Sequence, residues 1–289
     1  MKKALTAILF VVVLLAGIYV VSTQPRTDRE WTAELKETAF AELRDGKAYL
    51  KNVRDWTYAE GKILSEDWID EVEVNPEEVV RAWFVLEPFD EWEAVGHTYL
   101  TFEFADGRAY SFSVEARREA HEGYSAFVGL FREYELSYTW GTERDFLARR
   151  LLYLDHPVRM YPLALDAKSA QTYFLELVRK TNDVSLHPRF YQTLTANCTN
   201  VLAEIANESA RGAVPYDISW NLPGLSDGFL MRIGYIKPVG TKEETKQVYD
   251  LTPYKKDIEA IATESSEEFT RKLRLLPPFQ NSVQSGITP

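Results

Sequence analysis

Two nine-residue runs, Gly96–Phe104 and Ala109–Arg117, alternate polar and apolar residues with period two and flank the turn-forming pair Asp106-Gly107. No other stretch restricts the fold as tightly, because alternation around a short turn demands an antiparallel hairpin with one face buried. A two-residue loop at Asp106-Gly107 would set Thr101 against Phe112 and Phe102 against Ser111, mixing polar and apolar groups on each face. A three-residue loop, Asp106-Gly107-Arg108, pairs Leu100 with Val114, Phe102 with Phe112 and Phe104 with Tyr110, which makes one apolar face. The other face then gathers His97, Tyr99, Thr101 and Glu103 opposite Arg117, Glu115, Ser113 and Ser111. In that register Arg117 lies across from His97, with Glu115 its diagonal neighbour.

Strand-like runs dominate from residue 81 to 140, and helix-like runs from 143 to 208, which predicts an α+β domain with an antiparallel sheet and packed helices. The aromatic alternation of Tyr134, Leu136, Tyr138 and Trp140 marks a sheet face, and Thr142-Glu143-Arg144-Asp145 opens a helix through its cap. Trp31, Leu35, Phe40 and Leu43 follow a helical rhythm and suggest a stalk helix. The run 228–236 reads as a strand, Ile258–Leu273 as a helix, and 277–289 as an unstructured tail. The expected organisation is a membrane segment at 1–24, a linker and stalk at 25–51, a folded domain at 52–238 and a charged helical extension at 239–289.

Ala4 to Val21 carries no charge and is mostly apolar, close to the ~20 residues needed to span a bilayer. No convincing small-residue cleavage site follows it, and no cysteine follows Leu14-Leu15-Ala16-Gly17 to accept a lipid, so an uncleaved signal anchor is expected. A cleaved signal peptide is the alternative, which would release the protein to the periplasm. Lys2 and Lys3 are matched by Arg26 and Arg29, so charge does not set the orientation. With 33 basic against 44 acidic residues and no basic stripe, nucleic acid is not an expected partner. A single cysteine removes disulfides and makes a structural zinc site improbable. No Gly-rich phosphate loop, H-E-x-x-H pair or G-x-S-x-G elbow occurs, and neither metal nor cofactor is expected.

That cysteine, Cys198, stands where Asn197 or Thr195 can cap a helix whose apolar stripe is Val201, Leu202 and Ile205. In a first helical turn the sulfur meets the positive end of the helix dipole and unpaired N–H groups, which favour the thiolate. A nucleophile needs a base, and there are four histidines. His121 sits in a charged loop, while His156 and His187 each precede a proline and read as turn residues. His97, on the polar face of the hairpin with Glu115 nearby to orient it, is the expected base; His187 is the alternative. A buried structural cysteine beside a surface histidine is the competing reading.

The runs Asn52-Val53-Arg54, Gly96–Phe104, Ser113–Arg117, Tyr134-Glu135-Leu136, Tyr161-Pro162-Leu163 and Asn197-Cys198-Thr199-Asn200, in that order, resemble the Lnb N-terminal periplasmic domain family over roughly residues 52 to 235. The order of histidine before Asn-Cys at a helix start is also similar to permuted NlpC-type thiol enzymes such as lecithin:retinol acyltransferase, which implies a permuted papain-like fold. The resemblance implies bacterial lipoprotein N-acylation, in which an acyl chain passes from a phospholipid through a cysteine thioester to an amine. Carried over by position, Cys198 is the nucleophile, His97 the base and Glu115 the orienting residue, with Arg117, Asn197 and Tyr99 expected to bind substrate. The expected setting is the inner membrane, anchored by one helix with the domain in the periplasm and a phospholipid or lipoprotein as partner. An envelope cysteine peptidase or amidase, and a non-catalytic envelope module, are the alternatives.

Overall fold

A computed structural model describes residues 2–284. The N-terminal run forms helix α1 (Lys2–Ser22), long and apolar enough to cross a membrane, with its described side chains exposed along its length. The chain then lays down β1 (Phe40–Arg44), β2 (Lys47–Arg54), the small β3 (Thr57–Ala59) and β4 (Lys62–Ser65) hairpin, and β5 (Trp68–Val74). After these come β6 (Val79–Pro88), β7 (Gly96–Phe104), β8 (Ala109–Arg117), β9 (Glu135–Thr142), α2 (Glu143–Ala148) and β10 (Arg159–Pro162). Helices α3 (Ala167–Lys180), α4 (Asp183–Leu186), α5 (Cys198–Ser209), α6 (Ser226–Arg232), α7 (Lys242–Val248), α8 (Lys255–Ile261), α9 (Ser266–Leu273) and α10 (Pro277–Gln284) complete the described chain.

Among the described residues the main sheet has eight strands in the order β1-β2-β9-β8-β7-β6-β10, with β5 also paired to β2. Its neighbours run antiparallel except for a short parallel meeting of β2 with β9 at Arg54 and Gly141. The mixed α and β architecture read from the sequence is therefore present. One face of the sheet carries Leu100, Phe102, Phe112 and Trp140 and is covered by α3 and α5, where Phe174 packs edge-on against Phe102 and Trp140. The other face carries Trp83, Val85 and Tyr99 and is covered by α2, α8 and α9, through Phe146, Ile258 and Phe269. Each of these fully buried side chains contributes roughly 1.5–3 kcal/mol by leaving water.

Several elements differ from expectation. The stalk read over Trp31–Leu43 is a single turn at Ala33–Leu35 followed by β1, because Ala39 and Ala41 pack into the sheet core and the strand pairs with β2. Helical spacing there coincided with strand alternation over a stretch too short to separate the two. The run 228–236 is not a strand: Ser226–Arg232 is helical, and Gly234, at φ 87°, ends it. The helix read over Ile258–Leu273 is broken into α8 and α9, the second starting where Ser265 caps it. The tail read as unstructured begins with α10, whose Phe279 packs edge-on against Trp83; residues 285–289 lie outside the described chain.

The hairpin register also shifts. Leu100 faces Phe112 and Phe102 faces Tyr110, two residues from the expected pairing. The loop is Ala105-Asp106-Gly107, closed by the Phe104 N–H to Arg108 carbonyl bond (2.9 Å), with Asp106 accepting from the Arg108 N–H. A three-residue hairpin loop needs a left-handed residue in third place, and Gly107 (φ 86°) occupies it. A shift of two leaves the apolar face as predicted but changes every partner. Continuing the ladder beyond the Tyr99–Ser113 pair on the same face puts Glu115, not Arg117, across from His97.

Candidate active site

Cys198 is the first residue of α5 and is 3% exposed. Asn197 caps the helix, its Oδ1 accepting from the N–H groups of Thr199 (2.8 Å) and Asn200 (2.9 Å), while the Asn200 side chain accepts from the Asn197 N–H. The Asn197 amide donates to the carbonyls of Thr193 and Trp220, each at 2.8 Å. Every hydrogen-bonding position of this side chain is engaged, so Asn197 builds the site and keeps nothing for a substrate. The same capping box uses the N–H groups on either side of Cys198. Among the described residues the Cys198 N–H is left as the free donor of the first turn, beside the sulfur, where an oxyanion needs one.

Strand β7 delivers His97 to the start of that helix. Its Nε2 lies 2.7 Å from Ser113 Oγ and 3.4 Å from Glu115 Oε1, and Ser113 donates its hydroxyl proton to Glu115 at 2.6 Å. A hydroxyl has one proton to give, so Ser113 accepts from His97 and Nε2 carries the hydrogen. Nδ1 is then the nitrogen left for the thiol. The Cys198 sulfur lies 3.9 Å from the Thr199 hydroxyl, and the His97 imidazole and Thr98 are near enough to act on its charge.

These contacts fix the charges. Burial pushes the Cys198 thiol up, but the His97 imidazole and Thr98 outweigh it and bring the thiol below its ordinary value. Burial lowers His97, yet Glu115 first and Cys198 second raise it to about 10. Glu115, against burial, is held well below the usual carboxylate range by His97, Arg150 and Ser113. These directions favour charge separation between Cys198 and His97, with Glu115 behind the imidazole, an arrangement that can activate a sulfur nucleophile.

A further set of residues braces this group: Glu87, Arg150, Tyr124 and Tyr191, none of them expected from the sequence, together with His156, expected only as a turn residue, and Tyr99, expected at the substrate. Glu87 on β6 is the register partner of His97. It accepts from Arg150 Nε (2.6 Å) and lies 2.6 Å from His156 Nδ1, while Arg150 extends to Glu115 at 3.8 Å. Arg150 comes from the π-helical turn Arg149–Tyr153 that continues α2, and its guanidinium sits 4.2 Å from the centre of the Tyr99 ring. Tyr99 is fully buried and stacks beside His97, so it supports the imidazole from below. A lone carboxylate in the otherwise apolar run Ala82-Trp83-Phe84-Val85-Leu86-Glu87-Pro88 was the available signal for Glu87, since a charge in a buried strand needs a partner. Tyr124 and Tyr191, hydroxyls 3.2 Å apart, close another side near the sulfur; burial raises Tyr124 to about 12, with the Cys198 charge adding to it.

Arg117 is not part of the cluster. It donates to the carbonyls of Leu35 (2.9 Å) and Lys36 (2.7 Å) and covers the Trp31 ring, fastening the segment after α1 to the sheet. His187 is engaged at the end of α4, and among the described residues no contact joins it to the thiol.

A cavity of about 270 Å³ includes Thr98 and Thr199, the chain neighbours of His97 and Cys198, in its lining. It runs along α5 past Leu202, Ala203 and Ala206 to Ala210, roughly 16 Å at 1.5 Å per residue. Its walls are mainly apolar. Ser219 and Trp220 belong to them, and the Ser219 hydroxyl and Trp220 indole N–H are buried without a partner among the described residues.

Compared with known proteins, the chain matches no curated sequence and no solved structure. The family model described as the Lnb N-terminal periplasmic domain matches residues 65–222, more than half of the sequence and all of the segment that supplies His97, Glu115 and Cys198. On that match the chain belongs to the Lnb N-terminal periplasmic domain family.

Proposed function

We propose that this protein is an envelope thiol acyltransferase that carries an acyl group on Cys198. The family is a periplasmic one, and α1 is long and apolar enough to hold the domain at a membrane. The observation that carries the reading is the buried Cys198 at a helix start, near enough to His97 for each to shift the other's charge, with His97 Nε2 tied to Ser113 and Glu115. The order of histidine before an Asn-Cys helix start is similar to that of permuted NlpC-type thiol enzymes, which supports the reading.

In the first half-reaction the thiolate attacks the carbonyl carbon of an ester and the C–S bond forms. The negative charge moves to the carbonyl oxygen, facing the free Cys198 N–H. Collapse breaks the C–O bond, and the leaving alkoxide takes the proton from His97 Nδ1, which gives the acyl-thioester and neutral imidazole. In the second half-reaction an amine attacks the thioester, His97 takes its proton, and the sulfur leaves as thiolate. Water in place of the amine gives hydrolysis.

The cavity favours acyl chains over peptides. An apolar cavity lined by Thr98 and Thr199, the chain neighbours of His97 and Cys198, suits a hydrocarbon tail, with the unpartnered Ser219 and Trp220 groups available to an ester. Incubation of the full chain with phosphatidylethanolamine and phosphatidylglycerol vesicles, quenched in acid and analysed by peptide mass spectrometry, is the test. A hydroxylamine-labile acyl group on the Cys198 peptide is expected, absent from His97→Ala. An unacylated peptide in a protein whose thiol still alkylates rapidly would reject the reading.

A further inference from the structure

The end of α1 does not hang free of the domain. Tyr19 donates its hydroxyl to the Phe131 carbonyl, and Arg132 donates to the carbonyls of Val20 (2.9 Å) and Thr23 (3.5 Å). The last turn of α1 has no basic residue of its own, and Arg132 supplies one from the domain, where a cation compensates the helix C-terminus. The chain after α1 is then fastened to the segment that follows β8 and to the first residue of β9. Thr32 donates to the Arg118 carbonyl, Ala120 to the Glu30 carbonyl, and Arg26 N–H to Glu135. The bilayer exit of α1 is thus set against the loop of residues 124–132.

That loop is the first of three that ring the N-terminus of α5. Thr193 bonds to Ala126 and Gly129; Leu194 accepts from Asn200 and Asn221; and Asn197, beside Cys198, bonds to Thr193 and Trp220. Each loop turns large apolar side chains to solvent. Phe127 and Phe131, an edge-on pair 5.3 Å apart, are 70% and 51% exposed, Leu194 49%, Tyr216 71% and Ile218 56%. Scattered exposed side chains need no explanation, but these sit on loops bonded one to the next around the helix start that carries Cys198.

We infer that these three loops form a rim that enters the interfacial region of the phospholipid bilayer beside the anchor, so that the site opens onto lipid rather than onto the aqueous periplasm. The occupant follows from continuity with α1: whatever surface the helix emerges from meets Phe131 and Arg132 first. Aromatic side chains with an arginine at the same level suit the headgroup boundary. This inference requires α1 to lie in a membrane and goes beyond the thiol chemistry, which it does not need.

The test uses the full chain with Cys198→Ala, reconstituted into vesicles of phosphatidylethanolamine and phosphatidylglycerol. Single cysteines are introduced as Phe127→Cys, Phe131→Cys and Tyr216→Cys, with Leu275→Cys as a control, then spin-labelled. Leu275 is also exposed, but it follows Arg274, which bonds to Glu103 at the far end of β7 from His97. Power saturation should show labels at 127, 131 and 216 more accessible to oxygen than to a water-soluble nickel chelate, and the 275 label the reverse. Water-like accessibility at all three rim positions overturns the inference, and so does lipid-like accessibility at all four, which would mean indiscriminate adsorption. The measurement reads no catalysis, so an inactive enzyme with a buried rim would reject the acyltransferase reading alone. These positions are exposed, and circular dichroism of each labelled protein checks its fold.

Discussion

Replacing Glu115 by glutamine keeps the shape of the side chain and removes its charge. At 3.4 Å from His97 Nε2 and with an effective dielectric of about 20, the lost attraction is about 5 kcal/mol, or three to four powers of ten in proton affinity. That is close to the whole elevation of His97 from an ordinary value of about 6.5 to about 10. In Glu115→Gln the imidazole should therefore be neutral above about pH 7. Cys198 then loses its counter-charge, and burial, the largest influence on it, carries the thiol upward. A thiol at or above about 8.5 is only ~3% ionised at pH 7, and the greater intrinsic nucleophilicity of a more basic thiolate recovers part of that deficit. Between about pH 6.5 and 9, iodoacetamide should alkylate the wild-type thiol at a rate that rises less steeply with pH than that of an ordinary thiol. The variant should react about three- to tenfold more slowly at pH 7 and accelerate across the same range. Since the pair titrates as a unit, the profiles report the pair rather than either residue. Superimposable profiles would refute the claim that Glu115 holds the imidazolium and thiolate together.

Two further perturbations test the support around the pair. Arg150, His156 and His97 hold Glu87 at about 2 against its burial, so its contribution to stability is complete above about pH 4.5 and is lost as the pH falls toward 2. Glu87→Gln leaves the buried Arg150 charge without its carboxylate and should lower urea stability by roughly 3 kcal/mol near pH 7, a gap that narrows on acidification; a gap constant with pH would contradict the pairing. Asn197→Ala removes the cap of α5 and should cost about 1–2 kcal/mol in thermal unfolding while slowing alkylation of Cys198, whereas Asn197→Ser, which keeps a neutral acceptor and sets no carboxylate against the Thr193 and Trp220 carbonyls, should retain more of both. Equal losses in the two variants would show that the cap is not what orders the helix start.

The hairpin, its apolar face and the helix opening at Cys198 were legible in the sequence because each rests on local periodicity or capping, which tertiary contacts here reinforce. His97, Glu115 and Cys198 could be named because an alternating strand and a capped helix place their polar groups predictably. The partner of His97 could not be fixed from pattern alone. Registers two residues apart bury the same apolar face, and only the need for a left-handed residue in the third loop position, filled by Gly107, separates them. Arg117 looked like a site residue for the same reason, whereas it fastens the segment after α1. Glu87, Arg150 and His156 converge from β6, a π-helical turn and a loop, a long-range meeting that no local signal encodes. The stalk was misread because β1 is short and takes its place from pairing with β2.

The central claim is that Cys198 becomes covalently acylated as a step in turnover. Rapid-quench measurement of lysophospholipid released from phosphatidylethanolamine vesicles by the full chain, without an amine acceptor, tests it most directly. A burst of about one equivalent per enzyme followed by a slow phase is predicted for the wild type, and no burst for Cys198→Ser. Release by the wild type with no burst, or by Cys198→Ser at an undiminished rate, would contradict the account.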